Sequence, residues 1–295
     1  MERLSEKGYW DAVHEQERNE RESISECNTQ NQTRTRAHKL KSRWRRLLSD
    51  KLRKYTSGYE EHLIWNVVYK EHIPKTKGAK VLEIGSAPGE HLVRLSQEFG
   101  LEPYGVDYSE SGVNLNKEVF KANNLNPANV IHTDFFSNEF HEKYKESFDV
   151  VISRGFIEHF INTEDVIQKH LNLLAKGGRL IIIIPNLRGI NYYLVWLFHK
   201  EVIAIHNIEI MQKNVFLNLF ENKGVRKVFG DYNGVFNFYL FNTKESSPMR
   251  YVLKFCFRIQ LILNAIFHLF LKNSRVEHKW LSPALIFIGI KEGVR

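Results

Sequence analysis

The chain has 295 residues, 43% of them hydrophobic and 26% charged, and 42 Lys and Arg against 34 Asp and Glu give a formal net charge of +8. These proportions exclude a low-complexity or disordered chain, and the length suits one α/β domain with insertions better than two independent domains. The basic excess suits anionic small molecules, nucleic acid or a membrane surface and selects none of them. Cys27 and Cys256 lie far apart without CxxC spacing, so neither a disulfide framework nor a zinc motif is expected, and a reducing compartment is the default.

Residues 1–75 precede the first core strand and are read as an N-terminal helical extension; 76–295 form the main domain, with insertions at about 187–211 and 244–280. No apolar stretch follows Met1 to Lys7, which points to a cytoplasmic protein rather than a secreted one. Tyr9, Trp10 and Asp11 make a short aromatic-acidic start. Residues 15–35 are almost wholly polar and read as a solvated linker or frayed helix. Residues 34–54 are rich in Lys and Arg, and Leu40, Trp44, Leu47, Leu48 and Leu52 recur at three and four, which predicts an amphipathic basic helix. Its basic face is read first as a solvated surface, second as a contact for anionic lipid or a phosphorylated acceptor, and third as a nucleic-acid contact.

From Lys80 strand and helix patterns alternate. Strands are expected near 80–85, 103–107, 130–133, 148–153 and 179–185, and Leu180 to Ile184 is apolar throughout, as in a strand covered on both faces. Spacing of this kind predicts βαβ units with right-handed crossovers, a doubly wound, mostly parallel sheet.

The turn after the first strand, Val81 to Glu90, organises the rest. Gly85 and Gly89 permit close backbone approach to a ligand. In a dinucleotide fingerprint the middle glycine falls on Ala87 and the third on Glu90, a carboxylate where pyrophosphate would dock. Pro88 removes an N–H donor, and a P-loop would require Lys then Ser or Thr where Glu90 and His91 stand. Phosphate is disfavoured, and a cationic nucleoside such as S-adenosylmethionine fits better.

Several segments in order carry a resemblance: Glu83-Ile84-Gly85-Ser86-Ala87-Pro88-Gly89, Gly105-Val106-Asp107-Tyr108-Ser109, Asp134-Phe135, Phe148 to Ser153, and Leu174 to Leu180. Over roughly Lys80 to Pro185 the chain resembles the class I S-adenosylmethionine-dependent methyltransferases of small-molecule type, the ubiquinone-biosynthesis O-methyltransferase group among them. The family usually has glycine where Ala87 stands, a difference small enough for local adjustment. The resemblance implies a seven-stranded Rossmann-like fold and a cofactor site of Glu83, Gly85, Ser86, Ala87, Gly89, Asp107, Tyr108, Asp134, Phe135 and Ser153. Asp107, 18 residues after Gly89, is placed to accept hydrogen bonds from ribose hydroxyls, and Asp134 and Phe135 to meet the adenine.

Phe156-Ile157-Glu158-His159-Phe160 resembles the motif that ends the fourth strand in that group, which makes Glu158 and His159 candidates for acid-base work. His206 and Glu209, in the element after the fifth strand, are rivals for the same role. Metal-using members carry another acid three residues before the Glu; Gly155 stands there, and no metal is expected. Ile190 to Ile205 and Lys213 to Asn222 read as helices, Val225 to Phe229 as a sixth strand and Ala284 to Ile290 as an antiparallel seventh. Met249 to Lys272 is the most apolar stretch, but Lys254 and Arg258 interrupt it, so a helix in a membrane plane or over the acceptor pocket is expected rather than a spanning one. The expected activity is O-methylation, and after it N- or C-methylation, of a small, apolar or lipid- or glycan-linked acceptor, with peripheral contact at the inner face of a membrane. Its rivals are an RNA methyltransferase and a catalytically silent binding protein.

Overall fold

A computed structural model describes residues 2–5, 8–16, 18–19, 56–243 and 247–293. The basic helix expected over 34–54 lies outside the described residues. Of the polar stretch 15–35, residues 15–16 and 18–19 are helical and the remainder also lies outside.

The chain enters with a short helix, α1 (residues 8–16). A second helical run begins at α2 (Tyr59–Leu63), passes through a π-helical turn (Ile64–Val68) and ends as α3 (Tyr69–His72). Strands and helices then alternate: β1 (Lys80–Ile84), α4 (Glu90–Phe99), β2 (Glu102–Asp107), α5 (Glu110–Ala122), β3 (Val130–His132), α6 (Asn138–Lys143), β4 (Phe148–Arg154), α7 (Thr163–Leu173) and β5 (Leu174–Pro185). Beyond β5 come α8 (Ile190–His199), α9 (Glu201–Ala204), α10 (Lys213–Asn218), β6 (Val225–Asn233), α11 (Met249–Phe270) and β7 (Ala284–Lys291). The seven strands lie in the order β3-β2-β1-β4-β5-β7-β6. β7 runs antiparallel to both β5 and β6, while the other pairings are parallel.

Strand periodicity divides the core. On β5, Ile181 and Ile183 pack with Trp65, Val68, Leu92 and Phe120 on one face of the sheet. Leu180, Ile182 and Ile184 pack with Phe140, Val166, Leu171 and Phe216 on the other. Each such side chain contributes about 1.5–3 kcal/mol relative to exposure, so a one-residue slip would exchange both faces and is strongly opposed. β5 begins at Leu174, earlier than its apolar run, because Leu174 pairs with Phe148 before a register shift resumes the ladder at Val150–Arg179.

Local caps fix the helices that frame the sheet's C-terminal edge. Gly89, at φ +101°, is the N-cap of α4, and Ser109 caps α5 by accepting from Gly112 N–H at 3.1 Å. The chain crosses to opposite sides after β1 and β4, so a crevice opens where their C-terminal ends diverge, the usual ligand position in such sheets.

Candidate active site

A cavity of about 310 Å³ occupies that crevice. Ile84, Gly85 and Ala87 line it from the end of β1, Asp107 and Tyr108 from β2, Asp134 to Phe136 from the loop after β3, and Arg154 to Phe156 from β4, with His159 and Phe160 beyond. Residues from the N-terminal segment, Arg3, Ser5, Trp10 and His14, close it. That segment is tied down by Leu4 N–H to His159 O at 2.8 Å and by both Asp134 carboxylate oxygens accepting from Arg3 Nη2 at 2.6 Å. Asp11 accepts from Ser109 Oγ at 2.5 Å, and the Trp10 ring stands edge-on to His159 with centroids 5.2 Å apart.

Asp107 is buried and accepts backbone hydrogen bonds from Ser109 at 2.9 Å and Ala87 at 3.3 Å, one to each carboxylate oxygen. Burial pushes its pKa up, and the Ser109 bond and the His14 imidazole oppose this. Burial likewise lifts the Tyr108 phenol to about 12, against the pull of Arg3. Burial works against the charge of Arg154, but the Glu61 carboxylate bonded to it, with Tyr69, Glu83 and Glu60 nearby, holds it above the ordinary arginine range. Its Nε is buried without a hydrogen-bond partner.

Gly85, Ala87, Asp107, Tyr108, Asp134, Phe135 and His159 are thus brought together around one cavity. Glu83 and Ser153 lie behind its wall, because neighbours on a strand face opposite ways, and Ser86, Gly89, Glu158, His206 and Glu209 also lie outside its lining. Glu83 is buried with one oxygen 2.9 Å from His91 Nδ1 and the other without a partner. Ser86 Oγ accepts from Asn116 Nδ2 at 2.7 Å. Ser153 Oγ lies 3.0 Å from His170 Nε2, on the α7 side of the sheet, and not beside the cavity as expected. Gly89 packs on Asn116, where any Cβ would fall onto the amide oxygen. Glu158 is fully buried, and the His206 ring lies beside His159 with centroids 4.5 Å apart and planes inclined at 54°; Glu209 is exposed.

Glu158, His159 and His206 nonetheless form one cluster. Each offers a ligand atom within 4.8 Å of the others, a grouping capable of holding a cation, which the reading of Gly155 did not anticipate. His159 Nδ1 faces Ile205 O and His206 Nδ1 faces Val202 O, each at 2.7 Å. A carbonyl only accepts, so both Nδ1 atoms carry protons and both Nε2 atoms carry lone pairs. Burial, with His206 adding to it, lowers the His159 pKa to about 3, and burial raises Glu158 to about 8. At neutral pH the imidazole is therefore neutral and the carboxyl largely protonated.

Arg3 and His14 were not among the expected site residues, whereas Arg154, at the end of the fourth strand beside Ser153, was expected near the transferred methyl group. Arg3 and His14 precede Ile84, the first strand residue of the wall, by 81 and 70 positions, with no local pattern to announce them.

A seven-stranded sheet of this order, with a carboxylate-bearing, aromatic-lined cavity at the β1/β4 crevice, defines a Rossmann-like methyltransferase fold. The cyclase SpnF shares the fold at a TM-score of 0.52 and 11% identity, over 80% of this chain and 82% of that one. The family model described as "Methyltransferase domain" matches residues 75–226, just over half the chain, and the chain belongs to that family. Two curated relatives match shorter stretches. Phosphoethanolamine N-methyltransferase 2 of Caenorhabditis elegans is 27% identical over 125 residues, 42% of this chain and 27% of the relative. Phosphoethanolamine N-methyltransferase of Plasmodium falciparum is 31% identical over 114 residues, 37% of this chain and 40% of the relative. The chain thus spans well under half the length of either.

Residues 75–226 are an S-adenosyl-L-methionine-dependent methyltransferase domain. The cavity fits that cofactor: aromatic faces at Trp10, Phe135, Phe136 and Phe156 suit a sulfonium and an adenine, and the buried Asp107 carboxylate keeps lone pairs toward the opening.

Proposed function

We propose that the protein methylates a hydroxyl of a small, lipid- or glycan-linked acceptor presented at the inner face of a membrane. The observation that carries this is the neutral His159 on the cavity wall, its Nδ1 proton committed to Ile205 O and its Nε2 lone pair free to meet an acceptor hydroxyl. When bound, S-adenosylmethionine supplies a methyl group activated for in-line displacement.

The chain's own residues then have two tasks. The first is to hold donor and acceptor in near-attack geometry. Gly85 and Ala87 present backbone to the cofactor, Asp107 accepts from its ribose hydroxyls, and Tyr108, Asp134 and Phe135 bracket its base. The unpartnered Arg154 Nε serves its carboxylate. Glu83, Ser86, Gly89 and Ser153 support that loop and strand from behind. The second task concerns one proton. His159 Nε2 accepts the hydrogen bond of the acceptor hydroxyl as its oxygen bonds to the methyl carbon, and an imidazolium this acidic passes the proton on to water. The Ile205 carbonyl, the edge-on Trp10 ring and the neutral His206 keep the His159 ring in place.

The two phosphoethanolamine N-methyltransferases favour a second reading, methylation of an amine on a phosphorylated small molecule. Labelled donor incubated with fractionated lysate separates the two. Label in a lipid or glycan ether supports the first reading, and label in a phosphorylated amine overturns it in favour of the second. Label in RNA overturns both, and no heat of binding with S-adenosylmethionine in calorimetry leaves only a silent binding protein.

A further inference from the structure

Helix α11 is inside out. In a surface helix of a soluble domain the apolar stripe faces the core. Here the residues turned to the protein are Leu253, Gln260, Asn264 and His268. Gln260 accepts from Phe238 N–H at 2.9 Å and donates to Phe236 O at 3.2 Å, Asn264 donates to Thr56 O at 3.0 Å, and His268 Nε2 meets Ser57 O at 3.1 Å. The opposite face carries Phe255, Ile262 and Leu269, seven apart, each about 60% exposed (60%, 63% and 59%). α8 packs against α11 and exposes Tyr193 and Trp196, and Trp280 O accepts from Ile190 N–H at 3.1 Å where α8 begins.

Charge identifies what covers this face. Neither α8 nor α11 contains an acidic residue, while Lys254 and Arg258 are exposed on the outer side of α11. Beside Trp280 a recess of about 530 Å³ is lined by Arg188, Lys213 and Lys279, with Lys213 bonded to Asp231. A second copy of the chain would set these cations against themselves, whereas anionic headgroups complement them. The polar stripe holds α11 to the protein along its length, which rules out lipid on all sides and leaves an in-plane position. Register places the face: Asn233, Ala284 and Pro185 pair at the sheet edge that bears the cofactor cavity, and α11 lies between the first two in sequence.

We propose that the exposed faces of α8 and α11, with Trp280 and the basic recess, form a docking surface for an anionic phospholipid bilayer, on which the active edge of the sheet faces the membrane. This deepens the membrane part of the reading above. The test uses full-length protein without donor or acceptor, so its failure leaves methyl transfer standing, and failed transfer leaves the surface standing. In sedimentation with phosphatidylcholine vesicles, with and without phosphatidylglycerol, the protein is expected to bind the anionic vesicles more tightly. Phe255→Ser with Ile262→Ser should lower partition to both by about tenfold or more. Lys254→Glu with Arg258→Glu should erase the preference for anionic vesicles, roughly fivefold per cation. All four residues are exposed, so melting temperatures should not move. Protein remaining in the supernatant, binding unchanged by the apolar pair, or a dimer in solution that the apolar pair dissociates would each overturn the proposal.

Discussion

Replacing Asp107 with alanine tests the cofactor assignment at its strongest point. The carboxylate is buried and spends one lone pair on each of two backbone N–H groups, at 2.9 and 3.3 Å, which leaves acceptor capacity toward the cavity. Two hydrogen bonds from ribose hydroxyls to a charged group are worth about 1.5–3 kcal/mol each. Their loss predicts S-adenosylmethionine binding weaker by roughly a hundredfold to ten-thousandfold. Isothermal titration with donor and with its demethylated product reads this directly. Asp107→Asn, which keeps an acceptor oxygen, should fall between wild type and alanine. Melting temperature separates loss of the site from loss of the loop, since Ala87 and Ser109 also rely on the carboxylate. An alanine variant that stays folded and binds within about threefold of wild type would refute the placement of ribose at the end of β2.

Three further outcomes are expected. Trp10→Ala, which removes an aromatic wall beside His159, should weaken donor binding by about tenfold in the same titration. Gly89→Ala should lower the melting temperature together with donor affinity, because residue 89 sits at φ +101° and its Cβ would collide with Asn116, a cost of about 1–3 kcal/mol. His170 contributes to acid stability, as does His159 with its pKa lowered to about 3. His170 is fully buried between Val166 O and Ser153 Oγ, and burial lowers its pKa from 6.5 to about 4. The unfolded chain therefore takes up the proton first. Stability is complete above pH 6.5 and should fall as pH drops toward 4, by up to about 3 kcal/mol. Denaturant midpoints across that range should show the slope in wild type and a shallower one in His170→Gln.

The sheet was legible wherever burial on both faces left continuous apolar runs, as at Leu180 to Ile184, or a glycine turn marked a strand's end, as at Gly85. β5 was read too short because, after Leu174, residues Ala175 to Gly178 are small or polar and the register shifts before Arg179. Motif spacing placed the cavity at the right strand ends but not the direction of each side chain: Ser153 turns to His170 while its neighbour Arg154 reaches the cavity. The contribution of Arg3 could not be read at all, because its partner Asp134 lies 131 residues away. α11 shows the limit of periodicity. Its polar stripe was plain in the sequence, but periodicity left open whether the helix lies in a membrane plane or covers the pocket, and only the structure shows that Gln260, Asn264 and His268 turn inward.

The position of β7 bears on how the molecule assembles. β7 is not an edge but a wedge between β5 and β6, so synthesis leaves two ladders open until residues 284–291 arrive. Pairings this distant in sequence close late, and unpaired ladders invite other chains. A molecule lacking those eight residues should recruit chaperones or aggregate, while in the folded sheet, among the described residues, β3 and β6 are the outer strands.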